Sequence, residues 1–194
     1  MKRFISIMSA LILCTSALIA QTYDDEDDYY DDYIYEQNGA GDQFLKVDLG
    51  ANFPLNFGKQ LYPGIGGGIG YYRFLTNKLG VGGDVQFCWN QTIGKKQLST
   101  MPLTFGVMYQ PYFGKFEFPM TLNIGLAYVS LQNMTYFPAL AAKASAGAYY
   151  RYSEQWSFGL ATNLYWIPMW PKDHPEKNDN GVFINVGFTL RYHF

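Results

Sequence analysis

Eight ionisable residues stand singly inside alternating stretches of this sequence: Lys46, Asp48, Asp84, Glu117, Lys143, Arg151, Arg191 and His193. Each is set between apolar, aromatic or glycine neighbours. A lone charge on one face of an extended segment, with apolar residues on the other, points to ion pairing in an enclosed space. Charges removed from water need partners there more than they need solvent. Asp48 and Glu117 are therefore expected to pair with Arg151 and Arg191 in one interior network. Catalytic and metal chemistry find less support. The histidines are His174 and His193, Pro175 follows the first, and no metal-ligand spacing exists around either. Cys88 reads as a small half-buried residue. The run GIGGGIG at 64–70 is like a phosphate-cradling loop only superficially, because neither a helix start nor a Lys-Ser or Lys-Thr pair follows it. No cofactor, no metal and no catalytic group is expected.

The elements that hold these residues are strands. In 182–194, VFINVGFTLRYHF, Val182, Ile184, Val186, Phe188, Leu190, Tyr192 and Phe194 share one face, while Asn185, Thr189, Arg191 and His193 share the other. A period of two sustained this long is a strand signal. It recurs at 44–57, 64–75, 79–89, 101–113, 116–130, 139–152 and 156–167, which makes eight strands. Pro111 and Pro119 cannot donate to a ladder and mark strand ends or bulges. The Ala-rich start of the sixth stretch competes with a helix, yet Lys143, Ser145, Gly147, Tyr149 and Arg151 alternate correctly. Short turns at 76–78, 114–115 and 153–155 alternate with longer loops at 58–63, 90–100, 131–138 and 168–181. In every strand the all-apolar face alternates with a Gly, Thr, Asn and charge face.

That pattern predicts an all-β, eight-stranded antiparallel up-and-down transmembrane barrel spanning 43–194. An even strand number lets the last strand pair with the first, which leaves no open backbone in lipid. A soluble lipocalin-like barrel would turn the apolar face to a pocket and expose a Gly- and Asn-rich surface with few charges, a poor solvated exterior. Residues 1–20 carry Lys2 and Arg3, an apolar run and a small residue at Ala20, the pattern of a secretory signal peptide cut after Ala20. Cleavage would remove Cys14 and leave no disulfide to form. Residues 21–42 form an acidic, Tyr-rich tail that is expected to be disordered, and Asp24 to Asp32 plus Glu36 within it hold eight of the sixteen acids. From Gln37 onward twelve Lys and Arg face eight Asp and Glu, without the concentrated basic patch that nucleic acid needs.

Signal peptide, alternating strands and the ending TLRYHF together resemble the small bacterial outer-membrane barrels of the OmpA/OmpX/OmpW kind, porin-like outer-membrane β-barrel domain proteins. The resemblance implies a bacterial outer-membrane location with the N-terminus periplasmic, and recognition of Tyr192 and Phe194 by the barrel assembly machinery. It implies outer-membrane lipids as surroundings, extracellular ligands met through the loops, and a monomer. It implies a structural or surface-interaction role without a wide pore; a narrow porin-like channel or an OmpW-like conduit for small hydrophobic molecules is the alternative. Some barrels of this kind are lipid A hydrolases or acyltransferases that use His with Ser or Glu. Neither histidine here lies in an H-x-S arrangement, so the chain is not expected to be an enzyme. N-terminal sequencing of the protein recovered from membranes is expected to begin at Gln21; a sequence beginning at Met1 would refute the cleavage.

Overall fold

The computed structural model describes residues 38–57, 60–132, 134–169 and 179–194. The expected signal peptide and most of the acidic tail lie outside the described residues. The strands are β1 (Gln43–Pro54), β2 (Gly64–Phe74), β3 (Leu79–Gln91), β4 (Gln97–Tyr109), β5 (Tyr112–Phe113), β6 (Phe116–Glu117), β7 (Met120–Leu131), β8 (Met134–Arg151), β9 (Trp156–Met169) and β10 (Asp179–His193). The eight long ones form a ring in the order β8-β7-β4-β3-β2-β1-β10-β9, and β9 pairs back to β8. All pairings are antiparallel, and Leu45 opposite Tyr192 illustrates the β1–β10 seam. The result is a closed eight-stranded barrel without a sheet edge. The two short strands are a hairpin at the end of β4 and β7, and β6 continues onto β8 with Glu117 opposite Tyr149.

The outward face is apolar along the whole wall. Leu49 is 70% exposed, Phe105 64%, Leu122 66% and Ile124 63%. A continuous belt of this kind is incompatible with water and is what hydrocarbon solvates. The inward face is polar and buried. Two ends can be told apart: a turn end, with the turns after β2, β5 and β8, and a loop end, with the connections after β1, β3, β7 and β9.

Several expected boundaries shift. The polar stretch 90–100 is mostly strand, since β3 runs to Gln91 and β4 starts at Gln97, closed by a turn in which Lys96 N donates to Thr92 Oγ1. Most of the predicted loop 131–138 is also strand, since β7 runs to Leu131 and β8 starts at Met134. Its polar and aromatic residues read as a loop because the period breaks there. The structure shows why: Ala127 faces Ala139 but Val129 faces Tyr136, so Phe137 and Pro138 together oppose Tyr128. Such a bulge inverts facing beyond it. At the turn end, 101–113 does not continue as one strand. Pro111 interrupts the ladder, and Gln110 donates to Lys78 O while Phe118 donates to Pro111 O.

Glycines let interior side chains pass. A Cβ on Gly70 would lie 2.5 Å from Lys46 Cε, and one on Gly68 would lie 2.6 Å from Gln86 Oε1. At Gly94 the nearest atom would be 3.9 Å away. Gly70→Val is accordingly expected to destabilise the barrel by about 1–3 kcal/mol through overpacking, while Gly94→Ala changes little. Urea unfolding of the refolded protein in micelles checks this; equal midpoints for the two variants would refute it.

Candidate functional site

β2 turns Gly64, Gly66, Gly68 and Gly70 toward the interior, between β1 and β3. Side chains from those two strands meet over it in rows. Lys46 pairs with Gly70 on β2, and Gly70 pairs with Asp84 on β3; the Lys46 Nζ reaches Asp84 Oδ2 at 3.3 Å. One rung along, Gln86 Nε2 donates to Asp48 Oδ1 at 2.6 Å across Gly68. Further toward the loop end, Asn52 Nδ2 donates to Asn90 Oδ1 at 2.7 Å. No other residue type leaves that path open, because any Cβ on the middle strand would occupy it.

Asp84 is the centre of the first ionic layer. Besides Lys46 it receives Lys143 Nζ at 2.6 Å, Tyr72 Oη–H at 2.9 Å and Thr104 Oγ1–H at 3.2 Å. Four donors use up the acceptor capacity of a carboxylate. Tyr72 in turn accepts from Asn123 Nδ2 at 2.9 Å, and Tyr165 Oη donates to Gln86 Oε1 at 3.2 Å. The layer thus spans β1, β2, β3, β4, β7, β8 and β9.

Glu117 is the centre of the second layer, at the turn end. Arg151 Nε donates to its Oε1 at 2.8 Å and Arg191 Nη1 to its Oε2 at 3.3 Å. Arg191 Nη1 also donates to Gln110 Oε1, and its guanidinium carbon lies 3.5 Å from the Tyr149 ring centroid and 4.7 Å from that of Phe44. Guanidinium stacking of this kind adds to ion pairing without consuming a donor. Arg151 Nη2 donates to Asn38 Oδ1 at 2.6 Å, and Asn38 is buried. The segment before β1 is therefore anchored to the Glu117 layer.

The expected single network is two. Glu117, Arg151 and Arg191 come together, and so do Asp84, Lys46 and Lys143. Asp48 does not reach an arginine: Lys46 occupies the position opposite Arg191, while Asp48 stands opposite Thr189 and meets Gln86 over glycine instead. His193 bonds Ser157 Oγ through Nε2 at 2.9 Å and packs on Phe44 with centroids 5.3 Å apart. Sequence spacing hid that Ser–His contact, since the two residues lie on different strands. An imidazole on a hydroxyl is half of a nucleophilic dyad, but Ser157 is fully buried and, among the described residues, no carboxylate pairs with the ring. Tyr192 and Phe194 lie on the outer face, exposed and stacked at 6.1 Å. Tyr72 and Asn38 were missed: the glycine run obscured the facing of β2, and Asn38 precedes the periodic pattern.

Beside the Asn52–Asn90 pair, the loop end of the interior holds an apolar cluster. Leu61, Leu98, Ala127, Val129, Ala139, Ala141, Tyr165, Ile167 and Phe183 form one buried cluster, with Tyr136 packed against it. The bulge opposite Tyr128 is what turns Tyr136 inward.

A family model matches residues 24–192 of the chain. An uncharacterized protein of Treponema pallidum (strain Nichols) is 30% identical over 184 residues, covering 82% of this chain and 80% of its own length. Among solved structures, the barrel is similar to Neisserial surface protein A, with TM-score 0.64 and 10% identity over 79% of this chain and 99% of that one. It is also similar to the outer membrane protein OprG from Pseudomonas aeruginosa, with TM-score 0.52 and 13% identity over 81% of this chain and 98% of that one. The shared feature is the fold of the small eight-stranded outer-membrane β-barrels.

Replacing Glu117 by Leu strands two buried guanidinium groups, and removing one partner of a buried ion pair costs about 3–5 kcal/mol. Glu117→Leu is expected to lower the urea midpoint of the refolded barrel. A midpoint unchanged from wild type would mean that Glu117 does not hold the layer together.

Proposed function

We propose that this chain, which belongs to the same family as the Treponema pallidum protein, is an integral outer-membrane barrel that acts through its outer surface rather than through an open lumen. One observation carries the reading: the interior is filled at three successive levels. Phe183, Tyr165 and Ile167 fill the loop end, Asp84 gathers its donors at the middle, and Glu117 ties the two arginines at the turn end. A hydrated solute crossing the barrel would have to displace an apolar cluster and break two paired, desolvated ionic layers. An eight-stranded barrel is just wide enough for its own interior side chains.

The rest of the reading follows from that closure. Short turns belong to the periplasmic side and longer connections to the outside, which puts the segment before β1 in the periplasm. The outer loops then carry the contacts with extracellular ligands. Exposed Tyr192 and Phe194 offer the assembly machinery an aromatic pair on the last strand. A ring of strands leaves no edge to pair with a second copy, which supports a monomer. The buried position of Ser157 supports a role without catalysis.

A second reading, a conduit for small hydrophobic molecules, is favoured by the apolar character of the loop-end cluster. It requires that cluster to part for an apolar guest. Planar-bilayer recordings of the refolded protein are expected to be silent after a gel-shift control shows a folded, heat-modifiable barrel. Discrete, reproducible conductance steps would overturn the closed-lumen reading. Protein-dependent uptake of an apolar fluorescent probe into vesicles would transfer support to the conduit.

A further inference from the structure

Between the two ionic layers lies an internal cavity of about 10 Å³. That is room for one water-sized guest. Its walls include Lys46, Arg191, Tyr72, Thr121, Ser145 and Asn163 and, among the described residues, no carboxylate. Two cations thus border a space without an acid: Asp84 and Glu117 are turned to their own donors, and Asp48 accepts from Gln86 on the other side of Lys46, its second oxygen without a partner among the described residues. Arg191 is 3% exposed, and its Nε has no partner among the described residues. The hydroxyls of Thr121 and Ser145 lie 2.5 Å apart and share one hydrogen bond, so one of the two O–H groups remains without an acceptor in that pair. The Arg191 Nε–H and one of these O–H groups are thus donors without a partner among the described residues, and an acceptor placed in the cavity would satisfy both.

Charge points the same way. Among the described residues, the buried side chains of the interior comprise Lys46, Lys143, Arg151 and Arg191 against the carboxylates Asp48, Asp84 and Glu117, by formal charge with histidine left out of the count. One positive charge is in excess. An uncompensated charge enclosed in a membrane barrel is costly, and a counter-ion held by fixed donors offsets it. We propose that this cavity binds one small inorganic monoanion of about chloride size, held by the Arg191 Nε–H and a hydroxyl of the Thr121–Ser145 pair, with the Lys46 ammonium beside it. Polyatomic oxyanions of organic acids exceed the space. The site is independent of whether the loop end admits apolar guests, since it lies on the other side of the Asp84 layer from that cluster.

Crystals of the refolded full chain grown in sodium bromide provide the test, because bromide scatters anomalously and water does not. The expected result is an anomalous peak inside the cavity, within hydrogen-bond reach of Arg191 Nε and a Thr121 or Ser145 oxygen. Bromide at other positions only, or an ordinary water in the cavity, overturns the proposal. In solution, the thermal unfolding midpoint is expected to rise and saturate with sodium chloride, as ligand linkage requires, while sodium gluconate at equal ionic strength gives no such saturating rise. Thr121→Val with Ser145→Ala is expected to remove the chloride-specific component. If that double variant fails to refold, the bromide peak in crystals of the wild-type protein decides alone. Equal behaviour in chloride and gluconate, or an unchanged chloride response in the refolded variant, overturns the site.

Discussion

A backbone in hydrocarbon has no water to bond to, so every peptide group in the wall must find its partner in the neighbouring strand. That constraint closes β1 onto β10 and β8 onto β9, and the remaining features follow from it. Closure with eight strands fixes the diameter. A barrel so narrow has an inside composed of side chains rather than solvent. Whatever polar group points inward must then be satisfied by another inward group. The apolar exterior and the paired interior charges are two outcomes of one demand, applied to opposite faces of the same strands.

The interior is graded along the barrel. Carboxylates are few, and the two at the centres of the ionic layers are each given more than one donor, Asp84 four and Glu117 two arginines, while Asp48 accepts from Gln86 alone. Arg191 is further immobilised between Tyr149 and Phe44, so its charge is set by stacking as well as by pairing. Toward the loop end polar groups give way to Leu, Val, Ile, Tyr and Phe. The change of character needs a change of facing on β8. The bulge opposite Tyr128 supplies it, turning odd-numbered positions inward on one side and Tyr136 inward on the other. Anchoring of Asn38 by Arg151 ties the segment entering the barrel to the same charges that fill its turn end.

Strand periodicity was legible because lipid and interior impose opposite chemistry on alternate residues, as in Leu45, Val47 and Leu49 against Lys46 and Asp48. The charged residues of the interior were legible for the same reason. Their pairing was not. Asp48 was assigned to an arginine by charge, but contact is decided by rung and by the size of the residue between, and those put Gln86 within reach. Ser157 and His193 meet through the register of β9 with β10, which no local spacing encodes. The stretch 131–138 was read as a loop because a bulge erases the period exploited elsewhere. Cys88 lies buried on the inward face of β3, where alternation places it.

The glycine face of β2 has a consequence for how this fold is inferred from families of sequences. Residues on β1 and β3 touch over it with a constant sequence offset, Asn52 with Asn90 and Asp48 with Gln86 each lying 38 positions apart. Natural selection acting on those contacts would make the paired positions vary together, whereas the intervening glycines would be nearly invariant and so contribute no correlated signal. Contacts over the glycines alone would join β1 directly to β3; β2 is placed between them by its outward Ile65, Ile69 and Tyr71 and by its inward Tyr72.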